Sequence, residues 1–381
     1  MNFFEQGPIR PPSEAGSLLV RVTRNCPWNR CAFCHTYRGT RFEMRTVDEV
    51  KGDIVAMKNI VDDIQAVSHR MGDGGMVTDR IGSIFFDEYT SYNDCYRSVA
   101  QWLYYGGETV FLQDANSLVM KTDDLAEIIR YIYETFPAVT RVTSYCRSKT
   151  AGKKSSDEFR ELREAGLSRI HIGLESGSDS VLSFIRKGVT AKEHVAGGQK
   201  IVQSGISLSE YVIPGLGGET WSREHATETA RVLNEIDPDF IRLRSLQVRR
   251  NTDLYDLMKK GDFTPMTDEA IVDEIKLFIE CLEGIHSRIV SDHILNLLEE
   301  LEGSLPDEKE AMLGVIERYY ALSEEDRLIY RLGRRKGFYR KIDDLQNGRV
   351  YRLLHNIVEE YRMVGIEKLD ADLYRTMHHY I

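Results

Sequence analysis

Cysteine is scarce in this chain, six in 381 residues, too few for the disulfide framework of a small secreted domain. Proline is low at nine, and with 42% hydrophobic and 29% charged residues the chain reads as globular rather than disordered. It has no internal repeat and no low-complexity segment. No apolar run approaches the roughly 20 residues that a membrane-spanning helix needs. The first sixteen residues include Glu5 and Glu14 and lack the apolar centre of a signal peptide. An excess of positive charge is missing too. The net charge of −10 argues against a protein that grips long nucleic acid by neutralising phosphates. Reduced thiols without a leader point to the cytoplasm.

What the chain does have is concentrated in one stretch. Cys26, Cys31 and Cys34 fall within nine residues in a C-x4-C-x2-C spacing. They follow Leu18 to Val22, an alternating apolar run that predicts a strand. Strand and helix patterns then alternate to about residue 250. Further strands are expected at 109–112, 139–145, 170–174, 206–213 and 240–246. Helices are expected at 47–67 behind a Thr46 cap, from the Thr122 cap to Phe136, at 156–165, 191–204 and 221–236. Six such units predict an α/β fold, a partial (β/α)6 barrel whose active residues sit at the C-terminal strand ends. Residues 1–16 read as an extension and 17–250 as the core. Residues 68–100, with an aromatic cluster of Phe85, Phe86, Tyr89, Tyr92 and Tyr96, read as an insertion. From 265 to 381 the strand signal disappears and an all-helical region is expected, with helices near 267–301, 307–322, 350–362 and 369–379 and an exposed basic turn at 333–337.

Two metals compete for the three thiols. Zinc would add His35 as a fourth ligand and close a structural site, but zinc modules usually pair two ligand dyads, and no second dyad exists here. Cys95, Cys146 and Cys281 are isolated and read as small buried apolar residues. A [4Fe–4S] cluster held by three thiolates would instead leave one iron open to an exogenous ligand.

From about residue 17 to 250 the arrangement resembles the radical S-adenosylmethionine (radical SAM) superfamily, in the branch of Elp3, the methylthiotransferases and oxygen-independent coproporphyrinogen oxidase. Its usual spacing is C-x3-C-x2-C with an aromatic residue before the last cysteine. Phe33 fits that position, and the first gap here is one residue longer. The resemblance implies that Cys26, Cys31 and Cys34 hold a [4Fe–4S] cluster and that S-adenosylmethionine (SAM) chelates the open iron. It further implies reductive cleavage of SAM to a 5′-deoxyadenosyl radical that takes a hydrogen from a substrate, with electrons from a donor such as flavodoxin or ferredoxin.

The strand ends supply the other family positions. A Gly-Gly-Glu segment after the second strand binds the SAM amino group in the family. The two literal copies here, at 106–108 and 217–219, stand at the wrong places. Asp114 and Asn116, after the second strand, take that role in this reading, against an ordinary cap or turn. Ser144 and Arg147 after the third strand suit a carboxylate. Glu175, ending the fourth strand, matches the family's ribose-binding acid, and Lys187 a basic position that pairs with the SAM carboxylate. Tyr211, Ile213 and Gly215 match the segment beside the adenine, where glycine lets backbone approach. Arg244 is a candidate for an acidic substrate or a salt bridge. In the tail, Asp292 and His293 are a candidate polar pair on a helix.

No cobalamin-binding, auxiliary cluster, acetyltransferase-like or methylthiotransferase-type β-barrel module is expected. The sequence thus points to a single-cluster enzyme acting on a small molecule or a peptide. A non-catalytic iron–sulfur or zinc scaffold is the alternative, and an RNA-modifying radical enzyme a third reading.

Overall fold

Four strands run parallel in the first part of the chain: β1 (Leu18–Arg21), β2 (Thr109–Gln113), β3 (Arg141–Cys146) and β4 (Leu167–Glu175). The computed structural model describes residues 2–87 and 92–377, so Tyr89 of the expected aromatic cluster lies outside the described residues. The chain divides into two units, one of residues 1–29, 36–172 and 196–208, the other of residues 30–35, 173–195 and 209–381.

In the first unit the ladder pairs Leu19 with Phe111, Leu112 with Ser144 and Cys146 with Ile172. Leu18, Val20, Val110, Leu112, Val142, Ile170 and Ile172 are buried, as parallel strands flanked by crossover helices must be. Thr46 starts α1 (Val47–Met71) with a complete capping box to Glu49, and Gly72 ends it at φ 86°. The helix buries Val50, Ile54, Met57, Ile60, Val61 and Ile64 along one face, each worth about 1.5–3 kcal/mol when taken from water. The expected insertion forms two helices, α2 (Asp79–Phe86) and α3 (Asp94–Tyr104), and α3 packs on α1. Phe85, Tyr92 and Tyr96 cluster there, with Phe85 and Tyr92 ring centroids 4.7 Å apart. The helices α4 (Thr122–Thr135) and α5 (Ser156–Ala165) pack together beside α1.

In the second unit β5 (Ser207–Val212) pairs with β6 (Phe240–Leu243), setting Tyr211 against Arg242, and β6 pairs with β7 (Arg288–Val290), setting Ile241 against Ile289. Between them run α6 (Gly218–Ile236) and α7 (Asp268–Cys281), packed on each other. The α/β class expected from the strand–helix rhythm is the class observed.

Beyond residue 265 helices dominate, namely α7, α8 (Lys309–Ala321), α9 (Glu324–Arg335), α10 (Gly348–Val364) and α11 (Glu367–Met377), but the region is not all helix. The expected helix over 267–301 stops at Cys281, and the chain returns as β7, with a short antiparallel partner β8 (Gly303–Ser304). The run Arg288-Ile289-Val290 is too short for alternation to reveal it. Residues 291–298 form turns, not a helix, so Asp292 and His293 share no helical face. The expected basic turn is also different. Arg334 and Arg335 end α9 and are buried. Arg334 pairs with Glu299 at 2.8 Å, and Arg335 meets Asp268 and the Leu295 carbonyl. Charge alone suggested exposure; carbonyls and carboxylates that need donors in the 291–299 segment draw these side chains inward.

Candidate active site

In the first unit, the loop after β1 is built over one acid. Asp114 directly follows β2 and has no solvent exposure. Its Oδ2 receives Arg21 Nε at 2.8 Å and the Asn25 N–H at 2.9 Å, and its Oδ1 receives the Tyr37 hydroxyl at 2.8 Å. Burial first, and the Asp114 charge second, push the Tyr37 phenol far above its usual range, so it stays a donor. Gly7 passes so close that a Cβ there would stand 2.3 Å from Asp114 Oδ1. Asn25 and Asn29 take positive φ, 69° and 46°, a conformation asparagine tolerates better than most residues. The Asn29 N–H lies 3.4 Å from Cys26 Sγ.

Asp114, expected to meet an ammonium, thus has both oxygens engaged by the chain itself. Asn116 is spent likewise: its oxygen accepts the Arg147 N–H at 3.1 Å and its amide donates to Thr150 Oγ1 at 2.9 Å. Ser144 is buried and donates to the Tyr145 carbonyl at 3.2 Å. The Arg147 guanidinium lies over the Trp28 ring, 5.0 Å from its centroid, a cation–π contact with a residue of the cysteine loop.

In the second unit, Cys31 and Cys34 bracket a turn closed by Cys34 N–H to Cys31 O at 3.2 Å. Ala32 anchors it, donating to the Ile185 carbonyl at 2.8 Å and accepting from Leu254 N–H at 2.9 Å. Phe33 packs against two apolar clusters, one with Val248, Leu254 and Phe263, the other with Val181, Ile185, Ile213 and Leu216. His35, the fourth ligand in the zinc reading, has Nε2 3.1 Å from an Arg249 guanidinium nitrogen. Burial first, then the charges of Arg249 and Arg244, hold its pKa below the usual value. Cys26, Cys31 and Cys34 are each partly exposed, whereas Cys95 and Cys146 are buried as expected and Cys281, expected buried, is partly exposed. The donor set suits a cluster liganded by thiolates.

Glu175 ends β4 at φ 65°, unusual for a residue with a Cβ. Its Oε1 lies 2.8 Å from Lys187 Nζ, and both side chains are little exposed, 13% and 11%. Glu175 and Lys187, expected to meet different parts of SAM, therefore meet each other. The Glu175 carbonyl accepts Ile213 N–H at 3.1 Å. Gly215, at φ 85°, donates to Glu274 Oε1 at 2.6 Å. His225 links both strand ends, with Nδ1 2.8 Å from Ser176 Oγ and Nε2 3.1 Å from the Ile213 carbonyl. Tyr211 points its hydroxyl into buried surroundings.

Among the described residues Arg242, and not Arg244, makes the salt bridge, to Asp292 at 3.1 Å. His293 is held neutral, its pKa down at about 3 through burial first and the charges of Arg244 and Arg334 second. Sequence reasoning missed His225 and Glu274, which lie inside helices with no motif around them. It also passed over Glu210, buried in β5 with neither carboxyl oxygen hydrogen-bonded among the described residues.

Residues 90–230 match the model of the radical SAM superfamily. The chain is 21% identical over 285 residues to the tRNA uridine(34) acetyltransferase of Methanocaldococcus jannaschii, covering 70% of this chain and 49% of that one. It is 24% identical over 189 residues to the heme chaperone HemW of Bacillus subtilis, covering 49% of each. Coproporphyrinogen III oxidase (HemN) from Escherichia coli superposes with a TM-score of 0.45 at 14% identity, covering 69% of this chain and 51% of that one. The chain spans about half the length, or less, of the curated relatives it matches. No helix among the described residues is long and apolar enough to cross a membrane.

Proposed function

We propose that this chain, whose residues 90–230 match the model of the radical SAM superfamily, is a SAM-cleaving enzyme of that superfamily, whose enzymes use a [4Fe–4S] cluster and SAM. In this reading Cys26, Cys31 and Cys34 hold the cluster and leave one iron for SAM. Held there, the cluster would supply the electron for reductive cleavage of SAM, and the chemistry it would make available is hydrogen abstraction from a small-molecule or peptide substrate. What carries the reading is the set of three cysteines in C-x4-C-x2-C spacing on one nine-residue loop, each partly exposed.

The chain's own residues have definite parts. Phe33 and Ala32 fix the cysteine turn on the apolar core. Glu175 meets the ribose hydroxyls, its carboxylate oriented by Lys187. The backbone of Ile213 to Gly215 faces the adenine, held in place by His225 and Glu274. Asp114 fastens the loop that carries Cys26 through the Asn25 N–H, and Arg147 stacks on Trp28 of that loop. Water exclusion by these apolar and paired groups protects a reactive intermediate.

Anaerobic reconstitution tests this. The protein should bind about four irons per chain, turn brown, and release 5′-deoxyadenosine from SAM under reduction; Cys34→Ala should lose both the iron and the product. A colourless zinc protein without SAM affinity would establish the scaffold alternative instead.

A second reading has specific support, since two relatives are named tRNA uridine(34) acetyltransferases. Net charge alone no longer argues against nucleic acid, because a local basic surface suffices. Under this reading the substrate is an RNA nucleoside, and the protein should retain tRNA with a strong salt dependence.

A further inference from the structure

Glu210 is wholly buried in β5. Its neighbours along the same face of the pleat, Leu208 and Val212, are apolar and buried, as a core strand demands. An acid between them has no packing reason. The hydrogen bond from Ile213 N–H to the Glu175 carbonyl sets the parallel register. It places Glu175 beside Val212 and, two residues back, Gly173 beside Glu210. Over Gly173 lies the ion pair already described. A Cβ on Gly173 would stand 2.1 Å from Glu175 Oε1 and 3.0 Å from Lys187 Nζ. Glu210 thus shares one face of the strand ends with one acid and one base.

The charges there do not balance if every group ionises. Lys187 is already paired to Glu175 at 2.8 Å, and neither oxygen of Glu210 has a hydrogen-bond partner among the described residues. A carboxylate is not left bare in an apolar interior; it neutralises instead. Burial first, and the Glu175 charge second, raise the Glu210 pKa well above the ordinary carboxylate value, with Lys187 pulling the other way. A neutral, unpartnered acid beside a ligand-binding ion pair is a group waiting for a partner.

We propose that Glu210 is a ligand-binding residue of the site at the ends of β4 and β5, and that the group it receives is positively charged. An entering cation gives the second acid the counter-ion that Lys187, committed to Glu175, does not supply. A neutral ligand group would leave Glu210 protonated, so that its binding would release no proton, and an anionic one would be repelled by Glu175. The inference rests on the reading that this site takes SAM, which carries two such groups, its sulfonium and its α-ammonium.

The test is calorimetric titration of the anaerobically reconstituted protein at neutral pH, in two buffers of different ionisation enthalpy, with SAM and with S-adenosylhomocysteine, which keeps the ammonium and lacks the sulfonium charge. The wild type should release protons on binding SAM. Glu210→Gln, which copies the protonated acid in shape, should abolish that release and weaken SAM binding by at least about tenfold, with iron content and circular dichroism unchanged. Proton release with SAM alone assigns the sulfonium as the group received; release with both ligands assigns the ammonium. A wild type that binds SAM, with affinity and proton release unaltered in Glu210→Gln, overturns the role of Glu210 and leaves the cofactor reading standing. A wild type that does not bind SAM overturns both, and is told apart because the affinity is absent before any substitution.

Discussion

The Tyr37 hydroxyl donates to Asp114 Oδ1 at 2.8 Å while Arg21 and the Asn25 backbone hold Oδ2. Three donors from the cysteine-loop region thereby converge on one acid with no solvent exposure. Removing it strands all three. Asp114→Ala should cost about 3 kcal/mol, the low end for breaking a buried pair, because Arg21 keeps Glu5 at 2.7 Å. Tyr37→Phe should cost less, about 1–2 kcal/mol, since it leaves a single acceptor site unmet. Urea unfolding gives both numbers. Iron content after reconstitution should fall with Asp114→Ala, because the loop bearing Cys26 loses its fastening. Equal stabilities for wild type and Asp114→Ala would remove Asp114 from this role.

Gly173 makes a separate prediction. Its absent side chain leaves the space that the Glu175 carboxylate and the Lys187 ammonium occupy. In Gly173→Ala the methyl group must push these side-chain ends aside. Both are far ends of flexible chains, so the melting temperature should change little. SAM affinity should drop by roughly tenfold or more, because a charge-assisted contact is lost. Differential scanning fluorimetry with calorimetric titration separates the two effects. A large loss of stability with unchanged affinity would contradict it.

These two sites show what the sequence made legible and what it did not. The alternation of apolar runs placed the six long strands, because burial on both faces leaves a plain signature. Capping placed the start of α1, where Thr46 closes a capping box with Glu49, but Thr122, expected as a cap, is the first residue of α4 behind Lys121, which makes no side-chain cap hydrogen bond. Cys31, Cys34 and Phe33 were legible as a unit because their spacing is short. Glu175 and Lys187 were singled out separately, and the structure joins them. Asp114 and Asn116 were legible as polar residues at a strand end, but not their hydrogen-bond partners, which come from 77 to 93 positions away in sequence for Asp114 and from 31 to 34 positions away for Asn116. Distant pairing leaves no local pattern. The same blindness hid Arg334 and Arg335, read as a solvated turn and found buried against Glu299 and Asp268. It hid β7 as well, whose three residues carry too little periodicity to be told from a helix.

Glu175 itself sits at φ 65°, where an L-residue is strained by about 1–2 kcal/mol and glycine is not. The position therefore trades stability for a side chain. Two substitutions expose the trade. Glu175→Ala removes the carboxylate and keeps the strained backbone, whereas Glu175→Gly removes both. The glycine variant should be the more stable of the two by about 1 kcal/mol, after allowing for its looser unfolded chain. Both should lose SAM binding to a similar degree, because both lack the carboxylate that pairs with Lys187. An alanine variant as stable as the glycine variant would mean that the backbone there is not strained.

The pH dependence of stability offers an independent look at Glu210. Its pKa in the folded protein is raised, by burial first and by Glu175 second, while in the unfolded chain a glutamate titrates near about 4.3. Below that value both states hold the proton, and the residue contributes no pH dependence. Above it the unfolded chain releases the proton and the folded protein keeps it. The folded state then binds more protons than the unfolded one, so stability falls as pH rises, by about 1.4 kcal/mol per unit until the folded pKa is reached. This is opposite in sign to Glu14, whose lowered pKa adds stability above the carboxylate range. Glu210→Gln removes only the Glu210 contribution. Urea unfolding of wild type and variant should therefore coincide near pH 4 and diverge through pH 5 and 6, the variant becoming the more stable. Parallel curves over that window would mean that Glu210 ionises as readily in the fold as in water, and that the strand face it shares with Glu175 is wetter than its burial indicates.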